Sequence, residues 1–552
     1  MSSADATTEM PGTPGSATSI DRLETWAEAT SDWINPILVK EVRQALKSWT
    51  FMATFLFLLL ASWCVSVFGV LAAGSSIQYG RAGMGFYYGY IALLSFASYI
   101  VVPFLAYRNL LSERDQSTFE VLSITTLRPK QIVWGKLFTA VVQLFVFFSA
   151  LTPFIAFTYL LGGIDIVSIM VSLVWTTLAS IGLSMITLTN STLFQGKGWQ
   201  SFQTLFVLGA LLWACGAGIS VGVYGASAGG SMFNEWEFWV GTAVCLTFYI
   251  GYFVLLQKVA TAQLTFEADN RSTGIRVALV ALELLGLLWL AGTFLAHIYF
   301  VSFMPSAGDL ATLSLILGWV VAIHAAAFGL FFATESDTLS RRVARGIPRN
   351  PLVRLVAAPF YPGGGRGLLL AIAMLIVPGV VTVLLALFAG RSMENELAAF
   401  AAGCLYVVLY LGIACWIGRR GLASVKGFQP AHARVTTVIL AALGVVLPVA
   451  YEATISTMFG GMIEGNIVVN ITNPMVVIYK LADGHHMSPL VLALLGLLTG
   501  LVLMLNLRAI FAGVAEILRG PAGADAYGAD ANGPVAGGFE ASLLNDPRVD
   551  KV

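Results

Sequence analysis

The chain has 552 residues and a formal net charge of zero, with 57% hydrophobic and only 11% charged residues. A single soluble core stops growing at about 250–300 residues, so this composition excludes one soluble globular domain. Lipid is therefore the expected solvent, and the long continuous apolar runs exclude a barrel of short alternating strands. We predict an all-α polytopic membrane protein with about 12 transmembrane helices in two six-helix halves, without a nucleic-acid partner.

The two ends of the chain lack the apolar runs of the middle. Residues 1–34 do not show a basic stretch followed by an apolar core, the pattern of a signal peptide. They predict a disordered cytoplasmic N-terminal tail. Residues 516–552 are rich in Gly and Ala and lack apolar periodicity, which predicts a disordered cytoplasmic C-terminal tail.

Apolar runs long enough to cross the ~30 Å hydrocarbon layer recur between these tails. They predict twelve spans at about 50–73, 87–107, 132–161, 166–194, 200–225, 238–257, 277–301, 310–334, 367–390, 398–418, 435–459 and 488–507. With the N-terminus in the cytoplasm, these spans leave only Arg81, Arg391 and Lys480 on the outer side. This agrees with the positive-inside rule, so we predict a multi-pass protein of the cytoplasmic (inner) membrane with both termini in the cytoplasm.

An amphipathic segment precedes the first span. Asn35 is placed to cap a helix whose first position is Pro36. Apolar side chains then recur at helical spacing, opposite Lys40, Glu41 and Arg43. The pattern is typical of a helix that lies in the membrane interface, either as a plain anchor or as a part that moves.

The loop between the second and third spans is unusually polar. Ser117 and Glu120 have the spacing of a capping box, which predicts that a short helix begins there. Its apolar stripe consists of Phe119 and Leu122, within a rim of charged residues. Pro129 is placed to begin the next helix. A helix too short to span, with an apolar stripe and a charged rim, is suited to a groove on a soluble partner.

Both segments resemble the permeases of type-2 ABC exporters. The resemblance rests on NPILVKE at 35–41, ER at 113–114, STFEVL at 117–122, LRP at 127–129 and GK at 135–136. It covers about residues 35–258. Ser117 departs from the family, which often has a small residue such as Gly there. The second half departs further, because its loop at 419–434 has no Ser-Thr-x-Glu element.

The resemblance implies a permease core at 35–259 with an elbow helix and a coupling helix that docks on a cytoplasmic ATPase dimer. It implies ATPase-coupling roles for Glu113, Ser117, Phe119, Glu120, Leu122 and Pro129, and elbow roles for Lys40 and Arg43. No GxxxxGK[ST] phosphate loop occurs in the sequence. ATP and Mg²⁺ are therefore expected in the partner subunit, and we predict no cofactor and no enzyme activity for this chain.

A polar linker is predicted at 260–276, before a second six-helix membrane half at 277–515. Residues 350–354 (NPLVR) repeat the Asn-Pro start of 35–41, which suggests an internal repeat. The loop at 335–366 carries six Arg residues. We interpret it mainly as a basic loop that sets topology, with contact to the ATPase or to anionic lipid as the alternative.

Four ionisable side chains lie within or near the predicted spans: Glu283, His297, His324 and Glu452. A charged residue that faces lipid costs up to about 3 kcal/mol, so these are candidates for an intramembrane polar pathway. Packed or hydrogen-bonded structural roles are the alternative. The five cysteines show no metal-ligand spacing, and we predict neither a metal site nor catalytic residues.

Two further patterns in the apolar runs have structural interpretations. GISVG at 218–222 matches the nucleophile-elbow motif GxSxG, but its glycines fit close helix packing better than a strand-turn-helix setting. Pro103, Pro153, Pro378 and Pro448 interrupt four spans and can kink them, as structural features or as hinges.

The leading hypothesis is a permease that exports a substrate with energy from a separate ATPase subunit. The alternative is a twelve-helix secondary transporter driven by an ion gradient, with Glu283 or Glu452 handling protons. An intramembrane enzyme ranks last. Membrane lipid is an expected partner. The two halves either complete one pore, or the chain pairs as a homodimer or with a second permease.

Overall fold

The computed structural model describes residues 36–74, 82–115, 129–193, 197–228, 233–266, 269–299, 306–390, 392–459, 467–484 and 488–520. Every secondary-structure element within these ranges is a helix, so the predicted all-α class is confirmed. Twelve of the described helices are long and apolar enough to cross a membrane. The predicted number of spans is therefore confirmed as well.

The helices of the first half are α1 Pro36–Leu46, α2 Trp49–Ala73, α3 Gly83–Ser95, a π-helical segment Phe96–Val101, α4 Val102–Asp115, α5 Pro129–Leu160, α6 Ile166–Leu193, α7 Lys197–Ala228 and α8 Trp236–Leu264. They are followed by α9 Thr273–Tyr299, α10 Ala307–Ala333, α11 Arg341–Arg345, α12 Pro351–Ala357, a 3₁₀ turn Ala358–Phe360, α13 Gly364–Ala389, α14 Glu394–Ser424, α15 Pro430–Phe459, α16 Pro474–Ala482 and α17 Ser488–Arg519.

Several helices continue beyond the spans predicted for them. α14 has 31 residues and α17 has 32, whereas about 20 residues suffice to cross the hydrocarbon layer. Hydropathy predicts only the part of a helix that lies in lipid. The helical backbone hydrogen bonds continue into the polar residues at either end, so the helix is longer than the apolar run. α17 therefore reaches Arg519, inside the predicted C-terminal tail at 516–552.

The described residues fall into two compact units, divided between Gly241 and Thr242. The division lies inside α8, whereas the sequence predicts a linker at 260–276. Helix continues to Leu264 and resumes at Thr273, so about half of the predicted linker is helical. A helix gives no change in composition where packing partners change, which is why the sequence does not locate this division.

Aromatic residues of α3 form the centre of one core in the first unit. Tyr87 and Tyr90 are buried there with Ile91 and Leu94. The hydroxyl of Tyr90 lies 2.8 Å from Oγ of Ser66 on α2, and that of Tyr87 lies 2.7 Å from Oγ of Ser172 on α6. Because an unpaired buried hydroxyl is costly, these bonds fix α3 between its neighbours.

The second span is interrupted by the π-helical segment just before Pro103. Val102 donates its backbone N–H to the carbonyl of Ala97, a five-residue step. In that register the carbonyl of Ser98 would need an N–H from Pro103, which proline lacks. Ser180 on α6 supplies the missing donor through its Oγ at 2.6 Å. The predicted kink at Pro103 is therefore a π-helical segment tied to α6.

The GISVG motif lies within α7 and serves helix packing, as predicted. A β carbon at Gly218 would overlap the ring of Tyr99, and one at Gly222 would lie 3.0 Å from Cγ1 of Ile91. Ser220 is exposed and donates its hydroxyl to the carbonyl of Gly216 on its own helix at 3.0 Å. This helical setting differs from that of a nucleophile elbow.

In the second unit, two arginines without exposed surface organise the basic loop. Arg276 donates to the carbonyls of Pro359 and Tyr361, both at 2.7 Å, and to Oε2 of Glu335 at 2.7 Å. Arg366 donates to the carbonyl of Gly513 at 2.8 Å and to Glu516 at 3.0 Å. Charge-assisted bonds of this kind hold the loop against α9 and α17.

The glycines beside Arg366 allow backbones to touch. A β carbon at Gly364 would lie 2.6 Å from the carbonyl oxygen of Ala333, and one at Gly367 would lie 2.6 Å from that of Phe332. Gly365 makes a similar approach to Ala509 on α17 at 2.8 Å. The PGGGRG segment is thus a close-packed joint between α10, α13 and α17.

The Asn-Pro repeat of the second half forms a helix before a span. The Asn350 side chain accepts the N–H of Leu352 at 2.9 Å, and Pro351 occupies the first helical position of α12. α12 precedes α13 as α1 precedes α2. The sequence similarity between 350–354 and 35–41 thus corresponds to short helices in matching positions, although Asn35 lies outside the described residues.

Candidate functional site

A buried lysine joins three helices of the first unit. Nζ of Lys136, on α5, lies 2.6 Å from Oε1 of Glu113 near the end of α4 and 3.3 Å from Oε1 of Glu41 on α1. Only 5% of the Lys136 side chain is exposed. We call Lys136, Glu41 and Glu113 the ionic junction, because it connects the helix before the first span to the facing ends of the second and third spans.

The ionic junction contains one positive and two negative groups. Burial raises the pKa of Glu41, and the negative charge of Glu113 acts in the same direction, while Lys136 opposes both. Removal of a charge from a buried pair is costly because its partner stays desolvated. The lysine is therefore what allows two carboxylates to lie at one site.

A cavity of about 300 Å³ adjoins the ionic junction. Polar side chains from α1, α4 and α5 contribute to its lining, among them Gln44, Asn109, Ser112 and Gln143. A polar cavity of this size has room for water, which screens the charges and permits small movements of the helices. The chemistry of the site is that of a buried ion cluster beside a polar cavity with room for water.

The two predicted elbow residues lie on the solvent-exposed face of α1. Lys40 and Arg43 are exposed, whereas Ala45 is buried. The helix ends three residues before Trp49, whose side chain is 80% exposed at the start of α2. This arrangement has the amphipathic form that the sequence predicts for an interfacial helix.

Four of the six predicted coupling residues lie outside the described residues: Ser117, Phe119, Glu120 and Leu122. The other two flank that stretch. Glu113 belongs to the ionic junction, and Pro129 is the first residue of α5, as predicted. The ionic junction therefore connects the two helices between which the predicted coupling helix lies in the sequence.

The four intramembrane candidates have different surroundings. Asn470 donates to Oε1 of Glu452 at 2.6 Å. A hydrogen bond of 3.1 Å joins Nε2 of His324 to the hydroxyl of Tyr252. His297 lies near the end of α9, and Glu283 lies in an apolar cavity of the second unit. Within the described ranges, no group of three His, Cys, Asp or Glu side chains is arranged to hold a metal ion.

Sequence reasoning did not select Lys136 or Glu41 as site residues. Lys136 is seven positions into α5, about 10 Å along the helix axis from its start. A lysine at that depth in a span indicates a buried partner or a polar cavity. That signal was present in the sequence, but the identity of both carboxylates depends on how α1 and α4 pack.

Comparisons with known protein families, with characterised proteins and with solved structures found no match. The fold and composition support a coarser statement about the chain. It is a polytopic, all-α membrane protein in which the described residues include 12 candidate spans.

Proposed function

We propose that this chain is the membrane-spanning permease subunit of an ATP-binding cassette transporter. The observation that carries the proposal is the ionic junction. It ties α1, α4 and α5 together on both sides of residues 116–128, where the sequence predicts a helix suited to a soluble partner. A force applied to that helix would reach two spans and the elbow at once.

The second span has a feature that would let it respond to such a force. Its π-helical segment lies between α3 and α4, and the Oγ of Ser180 bonds the carbonyl of Ser98. π-Helical segments are frequent at functional sites, and they are among the places where a long helix kinks. Movement of α4 with α5 would therefore be accommodated at this segment.

ATP and Mg²⁺ belong to the partner in this proposal. The partner is a cytoplasmic ATPase dimer whose surface accepts the apolar side chains of Phe119 and Leu122. Export from the cytoplasm is the direction that the resemblance to type-2 exporters implies. The chain itself contributes the membrane path and the mechanical connection.

The proposal is tested by co-purification with an ATP-binding cassette ATPase from the same organism, followed by an assay of ATP hydrolysis. Phe119→Asp combined with Leu122→Asp should abolish both association and stimulated hydrolysis, because two charges oppose an apolar contact. Gln116→Asp combined with Thr126→Asp adds the same charge at polar positions and should keep both. Equal stimulation by the two double variants would rule out the docking helix.

A gradient-driven secondary transporter is the second candidate. Glu283 favours it, because this acidic side chain lies within a span and its Oε1 has no hydrogen-bond partner among the described residues. Substrate uptake into vesicles that contain only this chain and a proton gradient would support it. Uptake that requires ATP and the ATPase would exclude it.

A further inference from the structure

The second unit contains an apolar cavity of about 210 Å³ between α9, α10 and α13. Leu317 and Val321 of α10 form one wall, and Leu370 and Met374 of α13 form another. Phe360 contributes from the 3₁₀ turn. The one ionisable side chain in the lining is Glu283 of α9.

Glu283 is buried but not satisfied. Its side chain is 9% exposed, and its Oε1 has no hydrogen-bond partner among the described residues. An isolated carboxylate in an apolar site is strongly disfavoured unless a cation or a donor reaches it or a proton neutralises it. A partner that donates a hydrogen bond, carries positive charge and tolerates apolar walls would stabilise the ionised form.

The nearest arginine along α9 already has other partners. Arg276, seven positions before Glu283, directs Nη1 to the carbonyls of Pro359 and Tyr361 and Nη2 to Glu335. These bonds position the segment that carries Pro359 and Phe360 at the cavity. Arg276 thus shapes the cavity, and it leaves the carboxylate of Glu283 available to a ligand.

The cavity opens beside exposed apolar side chains of candidate membrane spans. Leu284 and Val377, two residues of its lining, are 59% and 48% exposed. Both belong to candidate membrane spans, whose exposed apolar surface is suited to contact with acyl chains. A ligand that enters between these side chains would come from the bilayer. The volume exceeds the ~150 Å³ that holds benzene but is below the ~300–1,000 Å³ of drug-sized pockets.

We propose that this cavity binds a small amphiphilic amine from the membrane, with its ammonium group donating to Oε1 of Glu283 and its alkyl chain between α9, α10 and α13. The ammonium supplies both the positive charge and the donor that the carboxylate lacks, and the apolar walls accommodate the chain. The inference concerns ligand binding alone and holds whichever energy source drives the protein.

The test measures saturable binding of radiolabelled octylamine to the purified full chain in phosphatidylcholine nanodiscs. Octanol has the same chain and a hydroxyl donor, but no charge. Octylamine should bind at least about tenfold more tightly than octanol, and Glu283→Gln should remove that preference. Glu452→Gln, which changes another acidic residue of a span, should keep it. Equal affinities for amine and alcohol, or unchanged amine binding by Glu283→Gln, would overturn the proposal.

A second variant tests the contribution of the cavity to binding while the charge of Glu283 is kept. Met374→Trp places a large ring at a buried position of the lining while Glu283 stays intact. Octylamine binding should fall at least about tenfold, although the far-ultraviolet circular dichroism and the elution volume stay those of the wild type. Wild-type binding by this variant would show that the amine occupies another site, which contradicts the proposal.

Discussion

Oγ of Ser180 on α6 lies 2.6 Å from the carbonyl oxygen of Ser98, in the π-helical segment that precedes Pro103. The hydroxyl takes the place of the backbone N–H that proline lacks. Sequence alone predicts an interruption at Pro103, but not which residue satisfies the freed carbonyl.

Ser180→Ala should lower the free energy of unfolding by about 1–3 kcal/mol, because the carbonyl of Ser98 then stays buried without a donor. Pro103→Ala restores a backbone N–H at that position, so the cost of Ser180→Ala should fall below about 1 kcal/mol in its presence. Thermal unfolding of the four proteins in one detergent measures this coupling. Equal costs in both backgrounds would show that Ser180 does not replace the missing N–H.

Lys136→Met should destabilise the first unit by about 2–3 kcal/mol, toward the lower end for a broken buried ion pair because both carboxylates are partly exposed. Lys130→Met removes a charge from an exposed position of the same helix and should change stability by less than about 0.5 kcal/mol. Denaturant titration compares the two variants. A similar small effect of both would mean that the ionic junction contributes little.

Neutralisation of the whole ionic junction should recover most of that loss. Lys136→Met combined with Glu41→Gln and Glu113→Gln leaves no unpaired charge, and replacement of complete buried ion clusters by neutral groups is often close to neutral in stability. The same denaturant titration measures it. A triple variant less stable than Lys136→Met alone would contradict this explanation.

The raised pKa of Glu41 predicts a pH dependence of stability. The folded protein binds a proton at Glu41 more tightly than the unfolded chain, so this contribution is complete below pH 4.5 and is lost as the pH rises through the raised value. The melting temperature of the wild type should therefore fall relative to Glu41→Gln as the pH rises above 4.5. A difference that is constant over this range would exclude Glu41 as the cause.

Gly367→Ala should destabilise the second unit by about 1–3 kcal/mol, because its β carbon would lie 2.6 Å from the backbone of Phe332. Gly496→Ala provides the matched control, since that helix position on α17 has no atom within 4 Å of a new β carbon. It should be neutral or stabilising by up to about 1 kcal/mol. The order of the two melting temperatures decides whether close backbone packing holds this joint.

Hydropathy alone predicts the number of spans, because lipid requires long apolar helices regardless of their tertiary contacts. The local chemistry of single residues predicts that Pro129 begins a helix and that Gly218 serves helix packing. The sequence does not predict tertiary contacts in the same way. Arg276 and Arg366 lie in polar segments that the sequence predicts to be solvated. Both are nevertheless fully buried, and they donate to carbonyls of distant segments. Such contacts depend on the fold and leave no periodic pattern in the sequence.

In the candidate site, too, the sequence predicts local features but not tertiary contacts. The sequence indicates where a soluble partner would dock, from Ser117, Phe119 and Leu122, and it indicates the elbow from Lys40 and Arg43. It does not indicate that Lys136 bridges Glu41 and Glu113, because those residues are separated by 95 and 23 positions. Only helix packing brings the three charges together.

In the proposed function, the ionic junction transmits work between an ATPase and the spans. The test is ATP hydrolysis by the reconstituted complex that contains the triple neutral variant. This variant should be close to the wild type in stability and should still bind the ATPase. We predict that at least about nine-tenths of the stimulated hydrolysis is lost, as expected when a mechanical connection is removed without loss of docking. Stimulation at the wild-type level by this variant would contradict the claim.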